Sequence, residues 1–148
     1  GNGNDTLFLA QHFKHVYAID LQKAAIESTK NKVRNYLNVS LIHASHADLD
    51  VLELPKMDAF IFNSGYLPKG DEQIITNAVS TLLAIEKAHA LLKENGLLIL
   101  TFYRKHPGGL LEYQTVYPNI PRIGFRELIQ YAYDNDPLSP IVHIFKHG

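Results

Sequence analysis

Apolar runs of strand length alternate with stretches of helical spacing along most of this chain, and that alternation restricts the fold more than any single residue does. Val16-Tyr17-Ala18-Ile19 ends on Asp20, and residues 39–43, 59–62 and 97–103 form the later runs. A short helix over 5–13, capped by Asn4 or Asp5, precedes the first run. Residues 23–36 set Ala25, Ile26 and Val33 among charged neighbours, and residues 74–93 form a long helix stopped by Asn95-Gly96. Compact apolar strands separated by helices pair in parallel through right-handed crossovers, so the expected class is α/β. The end of the chain differs in kind. Residues 127–133 and 141–147 are β-prone and flank Asp134-Asn135-Asp136-Pro137, a turn composition that predicts a terminal antiparallel hairpin. The 148 residues suffice for one core and are read as a single domain, 1–148.

Composition narrows the chemistry. The absence of cysteine excludes disulfides, thiolate zinc sites, cysteine nucleophiles and thiolate-held iron–sulfur clusters. A net charge of −1 argues against indiscriminate nucleic-acid binding but leaves room for a local basic patch. Lys14, Lys23, Lys30, Lys32 and Arg34 are one candidate patch, for which an ordinary solvated surface is the preferred reading; Arg104, Lys105, Arg122 and Arg126 are another. Apolar stretches such as 96–102 are too short to cross a bilayer, and no basic-then-apolar leader opens the sequence, so a cytoplasmic protein without a membrane partner is expected.

Gly1-Asn2-Gly3-Asn4-Asp5-Thr6 sets a glycine pair ahead of the first helix. At the end of a parallel strand, such glycines let the backbone approach a nucleotide-like ligand. Thr6 stands where the dinucleotide fingerprint has its third glycine, and no Walker lysine follows. The loop therefore suits a ligand with a ribose and no phosphate. Asp20 lies about one ribose-reading interval further on, where a carboxylate takes both ribose hydroxyls. S-adenosylmethionine meets both conditions, while a plain turn and helix cap accounts for the same residues equally well. The run over 39–43 leads into His43-Ala44-Ser45-His46. Many such enzymes offer a carboxylate to the adenine amino group here, and Ser45 or His46 would have to substitute. Histidines three apart without a third ligand make no metal site, and none is expected.

Phe60-Ile61-Phe62-Asn63-Ser64-Gly65-Tyr66-Leu67-Pro68 is the most informative stretch. A strand runs into a polar amide and an aromatic at the carboxyl end of the sheet, where open α/β folds bind ligands. It resembles the Asn-Pro-Pro-Tyr loop of methyltransferases that act on amino groups. Asn63 can accept a hydrogen bond from an attacking amine and aim its lone pair at a methyl group. Tyr66 can pack on the target base or face a sulfonium. A strand-ending turn with a packed tyrosine is the competing reading.

Three blocks together carry a more specific resemblance: residues 1–10, Phe62-Asn-Ser-Gly-Tyr-Leu-Pro-Lys-Gly-Asp71, and Tyr103-Arg-Lys-His-Pro-Gly-Gly109. In this order and spacing they are similar to the rRNA-methylase family typified by YtqB, whose characterised members, called MnmM, methylate the 5-aminomethyl group of wobble 2-thiouridine in tRNA. The resemblance implies a Rossmann-like class I methyltransferase sheet with a C-terminal antiparallel hairpin, and S-adenosylmethionine as methyl donor. It implies Gly1, Asn2, Gly3, Asp5 and Thr6 around the methionine and ribose, Asp20 on the ribose hydroxyls, and Asn63, Gly65 and Tyr66 beside the transferred methyl. Ser64 and Lys69 depart mildly from the family pattern. Arg104 stands where a histidine is common, and Pro118 and Pro121 shorten the helix after Gly109. Relatives also carry an acidic-ended strand just before the glycine loop, at the sheet centre; the expectation is that this sequence begins after it.

The reaction so implied is an in-line displacement at a sulfonium methyl by a primary amine. Such an amine has an ordinary pKa of about 10.4 and must lose a proton before attack, for which Asp71 and His106 are the candidates. The expected partner is tRNA or another structured RNA, touched by Lys69, Arg104, Lys105 and Arg122 or Arg126, because phosphates demand positive charge at the entrance. The rivals are an rRNA or small-amine methyltransferase of the same fold, a non-catalytic binding paralogue, and a nicotinamide-dependent oxidoreductase, against which Thr6 counts. Leu82, Leu83, Ile85 and Leu91 form a helix face that can pack on the sheet or on the second subunit of a homodimer; the sheet is expected.

Overall fold

The computed structural model describes residues 2–63 and 71–148, with side chains outside 71–77. Two compact units make up the chain, Gly1–Asp48 and Leu49–Gly148.

In the first unit, helix α1 (Asn4–His12), strand β1 (Val16–Asp20), helix α2 (Lys23–Val33) and strand β2 (Val39–His43) follow one another. The strands pair in parallel, from Val16 beside Val39 to Asp20 beside His43. Asn38 ties the layers together, its side-chain amide donating to the carbonyls of Ala10 and Phe13 at 2.9 Å each. The compact apolar run Val16–Ile19 reads as a buried parallel strand, yet only Val16 of β1 is fully buried. The cause is the pairing: β1 has β2 as its one strand neighbour among the described residues.

The second unit holds strand β3 (Met57–Asn63), helix α3 (Asp71–Leu91), strand β4 (Leu92–Phe102), helix α4 (Gly109–Val116), a single turn α5 (Ile120–Ile123), and strands β5 (Phe125–Ala132) and β6 (Ile141–His147). The sheet order is β3-β4-β6-β5, with β3 and β4 parallel and the predicted hairpin of β5 and β6 antiparallel. β6 pairs antiparallel with β4 as well, from Leu97 beside Lys146 to Phe102 beside Ile141. Asn95, at φ 66, ends the α3 connection within what becomes the start of β4, so the helix stops earlier and the strand begins earlier than the spacing predicts. Pro118 ends α4, as expected of a residue that lacks the amide hydrogen, and the chain continues as one 3-10 turn.

Alternation builds the core. Leu98, Leu100 and Phe102 of β4 and Ile141, His143 and Phe145 of β6 all point inward, each strand burying every second residue. Ile85 of α3 and Val116 and Ile120 close over them. Ile85 and Leu82 pack on the sheet as expected, while Leu83 stays 40% exposed. Among the described residues β3 has β4 as its one strand partner, and Ile61, in a run that reads as buried, stays 41% exposed. No helix among the described residues is long and apolar enough to cross a membrane.

Candidate functional site

The glycine loop of the first unit is held tightly. Gly3 is left-handed (φ 91), and a β-carbon on it would lie 2.7 Å from the α-carbon of Thr29 and 2.9 Å from its Oγ1. Thr29 is itself fixed, donating to the carbonyl of Ala25 at 2.8 Å within α2. Only glycine meets both conditions. Neither Asn4 nor Asp5 caps α1. Gly3 occupies the cap position, and the side chain of Asn2 accepts from the amide of Asn4 at 3.2 Å. The rest of the loop is tied to α2: Ser28 donates to the carbonyl of Asn2 at 3.1 Å, and Lys32 to the side-chain oxygen of Asn4 at 2.6 Å. Asp5 falls in the first turn of α1, where the helix end favours an acid, and Thr6 follows it there. Gly1 lies outside the described residues.

Asp20 closes β1 as predicted, half-buried, with one carboxylate oxygen accepting from the amide of Gln22 at 2.9 Å. Beside it, at the same end of the sheet, β2 runs out into Ser45, whose hydroxyl accepts from the amide of Ala47 at 3.1 Å. His46 is partly buried, and that burial holds its imidazole below the ordinary value of 6.5. The carboxyl ends of both parallel strands thus carry the acid and the polar turn assigned to a ribose and an adenine.

In the second unit, Asn63 is the last residue of β3, paired with Thr101 of β4 and exposed at the carboxyl end of the parallel pair. Gly65 and Tyr66 lie outside the described residues, as does Lys69; Asp71 is the first residue of α3, its side chain undescribed. His106 follows β4 in a loop wound so closely that a β-carbon on Gly109 would stand 2.0 Å from the carbonyl oxygen of Tyr103. Gly108 is left-handed there, at φ 78. The His106 ring stacks on Tyr103 at 5.3 Å between centroids, and its Nδ1 is buried with no hydrogen-bond partner among the described residues.

Beside this loop is a cluster that sequence reasoning missed. His143 is fully buried; its Nδ1 bonds Glu127, and its Nε2 meets the hydroxyl of Tyr113 at 3.2 Å. Tyr117 donates to the other oxygen of Glu127 at 2.8 Å. Burial holds the His143 imidazole below 6.5, and the hydrogen bond to Glu127 opposes this only in part. A neutral ring with those neighbours donates from Nδ1 to the carboxylate and accepts from Tyr113 at Nε2. Burial, helped by Glu127, pushes the Tyr117 phenol up to about 12, and burial raises Tyr113 against the pull of Arg104. The signal available in the sequence was the alternation Ile141, His143, Phe145, which puts the imidazole on the inward face of β6.

The basic patch divides. Arg104 turns inward, donating from Nε and Nη2 to the carbonyl of Ser139 at 3.0 and 2.8 Å with its guanidinium 5.2 Å from the Tyr113 ring centre. Lys105 is spent on Asp136 at 2.7 Å. A shallow concavity of about 410 Å³, lined by Leu82, Glu86, His89, Asn119, Arg122 and Ile123, contains Arg122 but none of the predicted cofactor or catalytic residues. Among the described residues, no three histidine or acidic side chains gather as a metal site.

Known proteins can now be set beside this geometry. The family described as "Putative rRNA methylase" matches residues 16–144. The tRNA (mnm(5)s(2)U34)-methyltransferase, chloroplastic, of Arabidopsis thaliana is 35% identical over 165 residues, which cover 99% of this chain and 60% of the relative. This chain therefore spans less than two thirds of that relative's length. Among solved structures, the "putative rRNA-methylase" of Clostridium thermocellum superposes with a TM-score of 0.84 at 31% identity, covering 99% of this chain and 83% of the other. SMU.1697c of Streptococcus mutans, described as a "putative methyltransferase" in complex with SAH, does so at 0.82 and 31%, with the same coverage. Matched across most of its length, the chain belongs to the rRNA-methylase family and has the Rossmann-like α/β fold of class I methyltransferases.

Proposed function

We propose that the chain is one S-adenosylmethionine-dependent methyltransferase domain that N-methylates the 5-aminomethyl group of wobble 2-thiouridine in tRNA. The observation that carries this reading is the 35% identity, over 99% of this chain, to a tRNA (mnm(5)s(2)U34)-methyltransferase. The cradle supports it independently: a loop at Gly3 that admits no side chain, and a carboxylate closing the neighbouring strand at Asp20. S-adenosylmethionine, when bound, supplies a methyl on a positively charged sulfur. Gly1, Asn2, Gly3, Asp5 and Thr6 line its methionine and ribose in this reading. Asp20 takes the ribose hydroxyls, and Ser45 or His46 meets the adenine. The family resemblance assigns Asn63, Gly65 and Tyr66 to the transferred methyl.

The chain's own residues then have three tasks. Asn63 accepts a hydrogen bond from the amine and turns its lone pair toward the methyl carbon. Asp71 or His106 takes the proton the amine must shed. Tyr66 packs on the base. With S-adenosylmethionine bound, the amine nitrogen would gain the methyl as its bond to sulfur breaks, the electron pair staying on sulfur. We read the compartment as the cytoplasm, whereas the Arabidopsis relative is chloroplastic.

Calorimetric titration with S-adenosylhomocysteine, with NAD as control, tests the cofactor, and mass spectrometry of tRNA carrying the free amine tests the reaction. Binding of the first ligand alone and a gain of one methyl are expected; a folded protein that binds neither ligand would refute the reading. Asn63→Ala should lower kcat by about a hundredfold with little change in S-adenosylhomocysteine affinity. Equal losses in both would remove Asn63 from its assigned role.

A further inference from the structure

Arg104 and Lys105 are adjacent in sequence but have opposite circumstances. Lys105 forms an exposed ion pair with Asp136 at 2.7 Å, and Asp136 also feels the charge of Arg104 at longer range. Arg104 makes no ion pair among the described residues, although it is partly buried and fixed on two sides. One side is the Ser139 carbonyl, which takes two of its five N–H donors; the other is the face of Tyr113. Tyr113 is in turn anchored through its hydroxyl to His143, and His143 to Glu127. Ser139 is 1% exposed and its hydroxyl has no partner among the described residues, so the group beneath the guanidinium is itself locked by packing. An arginine so placed has lost its rotamer freedom before any ligand arrives. It keeps a full positive charge and unspent donors at the carboxyl end of β4.

We infer that Arg104 is a preorganised ligand for a backbone phosphate of the RNA substrate, and that Tyr113, His143 and Glu127 are positioning residues that hold it for that contact. This rests on the reading of the chain as an RNA methyltransferase, and it narrows the patch read from the sequence. Of the two neighbouring cations, Arg104 carries the recognition while Lys105 is held by Asp136. A guanidinium meets a phosphate through two parallel N–H bonds, and a rigid one forms them without the ordering cost of a free lysine.

The test measures binding of a fluorescein-labelled tRNA anticodon stem-loop across a salt series, with S-adenosylhomocysteine affinity measured on every variant. Arg104→Ala should weaken RNA binding about tenfold and lower the salt slope by about one. Arg104→Lys should restore the slope but only part of the affinity. Tyr113→Leu, which removes the ring and leaves Arg104 in place, should weaken RNA binding by several fold. Tyr113→Phe, which keeps the ring but cuts its link to His143, should recover only part of that loss. S-adenosylhomocysteine affinity should stay constant throughout. Unchanged RNA binding in Arg104→Ala, with the cofactor product still bound, would overturn the inference and leave the methyltransferase reading standing. Parallel loss of RNA and S-adenosylhomocysteine binding in Tyr113→Leu would reduce Tyr113 to a structural role and overturn the positioning. Failure of the unaltered protein to bind S-adenosylhomocysteine would instead strike at the reading itself.

Discussion

The glycine loop of the first unit and the His143 cluster of the second are both tightly fixed, by opposite means. At the loop, three consecutive residues, Asn2, Gly3 and Asn4, lie against Ser28, Thr29 and Lys32 of one helix, and the fit depends on a side chain being absent. At the cluster, Arg104, Tyr113, Tyr117, Glu127 and His143 come from separate parts of the chain, and the fit depends on the polar atoms of Tyr113, Tyr117, Glu127 and His143 meeting one another. The first kind of site cannot tolerate an added atom. The second cannot tolerate a removed one, because a buried donor or acceptor left alone costs more than its hydrogen bond contributed.

Gly109 offers the sharpest way to break that contrast, since it lies beside the cluster yet is governed by exclusion. Its missing side chain would stand 2.0 Å from the Tyr103 oxygen, a distance no side-chain movement relieves because the obstacle is backbone. Gly109→Ala should cost about 3 kcal/mol of stability, read as a lower urea midpoint at unchanged slope. An unmoved midpoint would mean that the loop over 103–109 shifts freely, and that Arg104 is less fixed than its contacts imply.

Gly3→Ala comes next. A left-handed conformation costs an L-residue about 1–2 kcal/mol, and the contact with Thr29 adds to it, so a loss of about 2–3 kcal/mol is expected. The distinguishing readout is the cofactor product: Gly3→Ala should lose S-adenosylhomocysteine affinity out of proportion to its stability, and Gly109→Ala should not. Equal affinities in the two variants would remove Gly3 from the cofactor cradle.

These two glycines also mark how far the sequence could be read. A glycine loop, an acid ending a strand and a hairpin with a turn between its arms are local patterns, and β1, α2, β2 and the β5–β6 pair follow them closely. Strand burial is less legible because it depends on neighbours: β1 and β3 contain compact apolar runs, yet each has one strand partner among the described residues, and Ile61 stays exposed. The cap of α1 was misplaced because Asn2 and Gly3 do what Asn4 and Asp5 have the chemistry to do. The His143 cluster was hidden for a different reason. Its members meet only through the pairing of β6 with β5, where a register shift falls between Glu127 and Ile129, and through the docking of α4, and no local pattern encodes either.

The smallest effect concerns charge. His143 has no exposed surface, and Glu127, Tyr113, Tyr117 and Arg104 are the polar groups that face it. Because burial keeps the folded imidazole below 6.5, the unfolded chain takes up a proton near that pH before the folded chain does. Stability is therefore complete above 6.5 and is lost as the pH falls from 6.5 toward the folded value. His46 and His89 are also held low by burial and lose stability in the same direction, so the whole protein should weaken on acidification whatever His143 does. His143→Gln isolates the one group. It should be less stable than the unaltered protein at about pH 8, having lost a partner for Glu127 or Tyr113, yet decline less steeply between about pH 7 and about pH 5. Neither phenol titrates in that window, since both are raised. Equal slopes would mean that the buried ring accepts a proton in place with Glu127 as its counter-charge. The cluster holding Arg104 would then be an ion pair, and its grip on the guanidinium would weaken by like-charge repulsion as the pH falls.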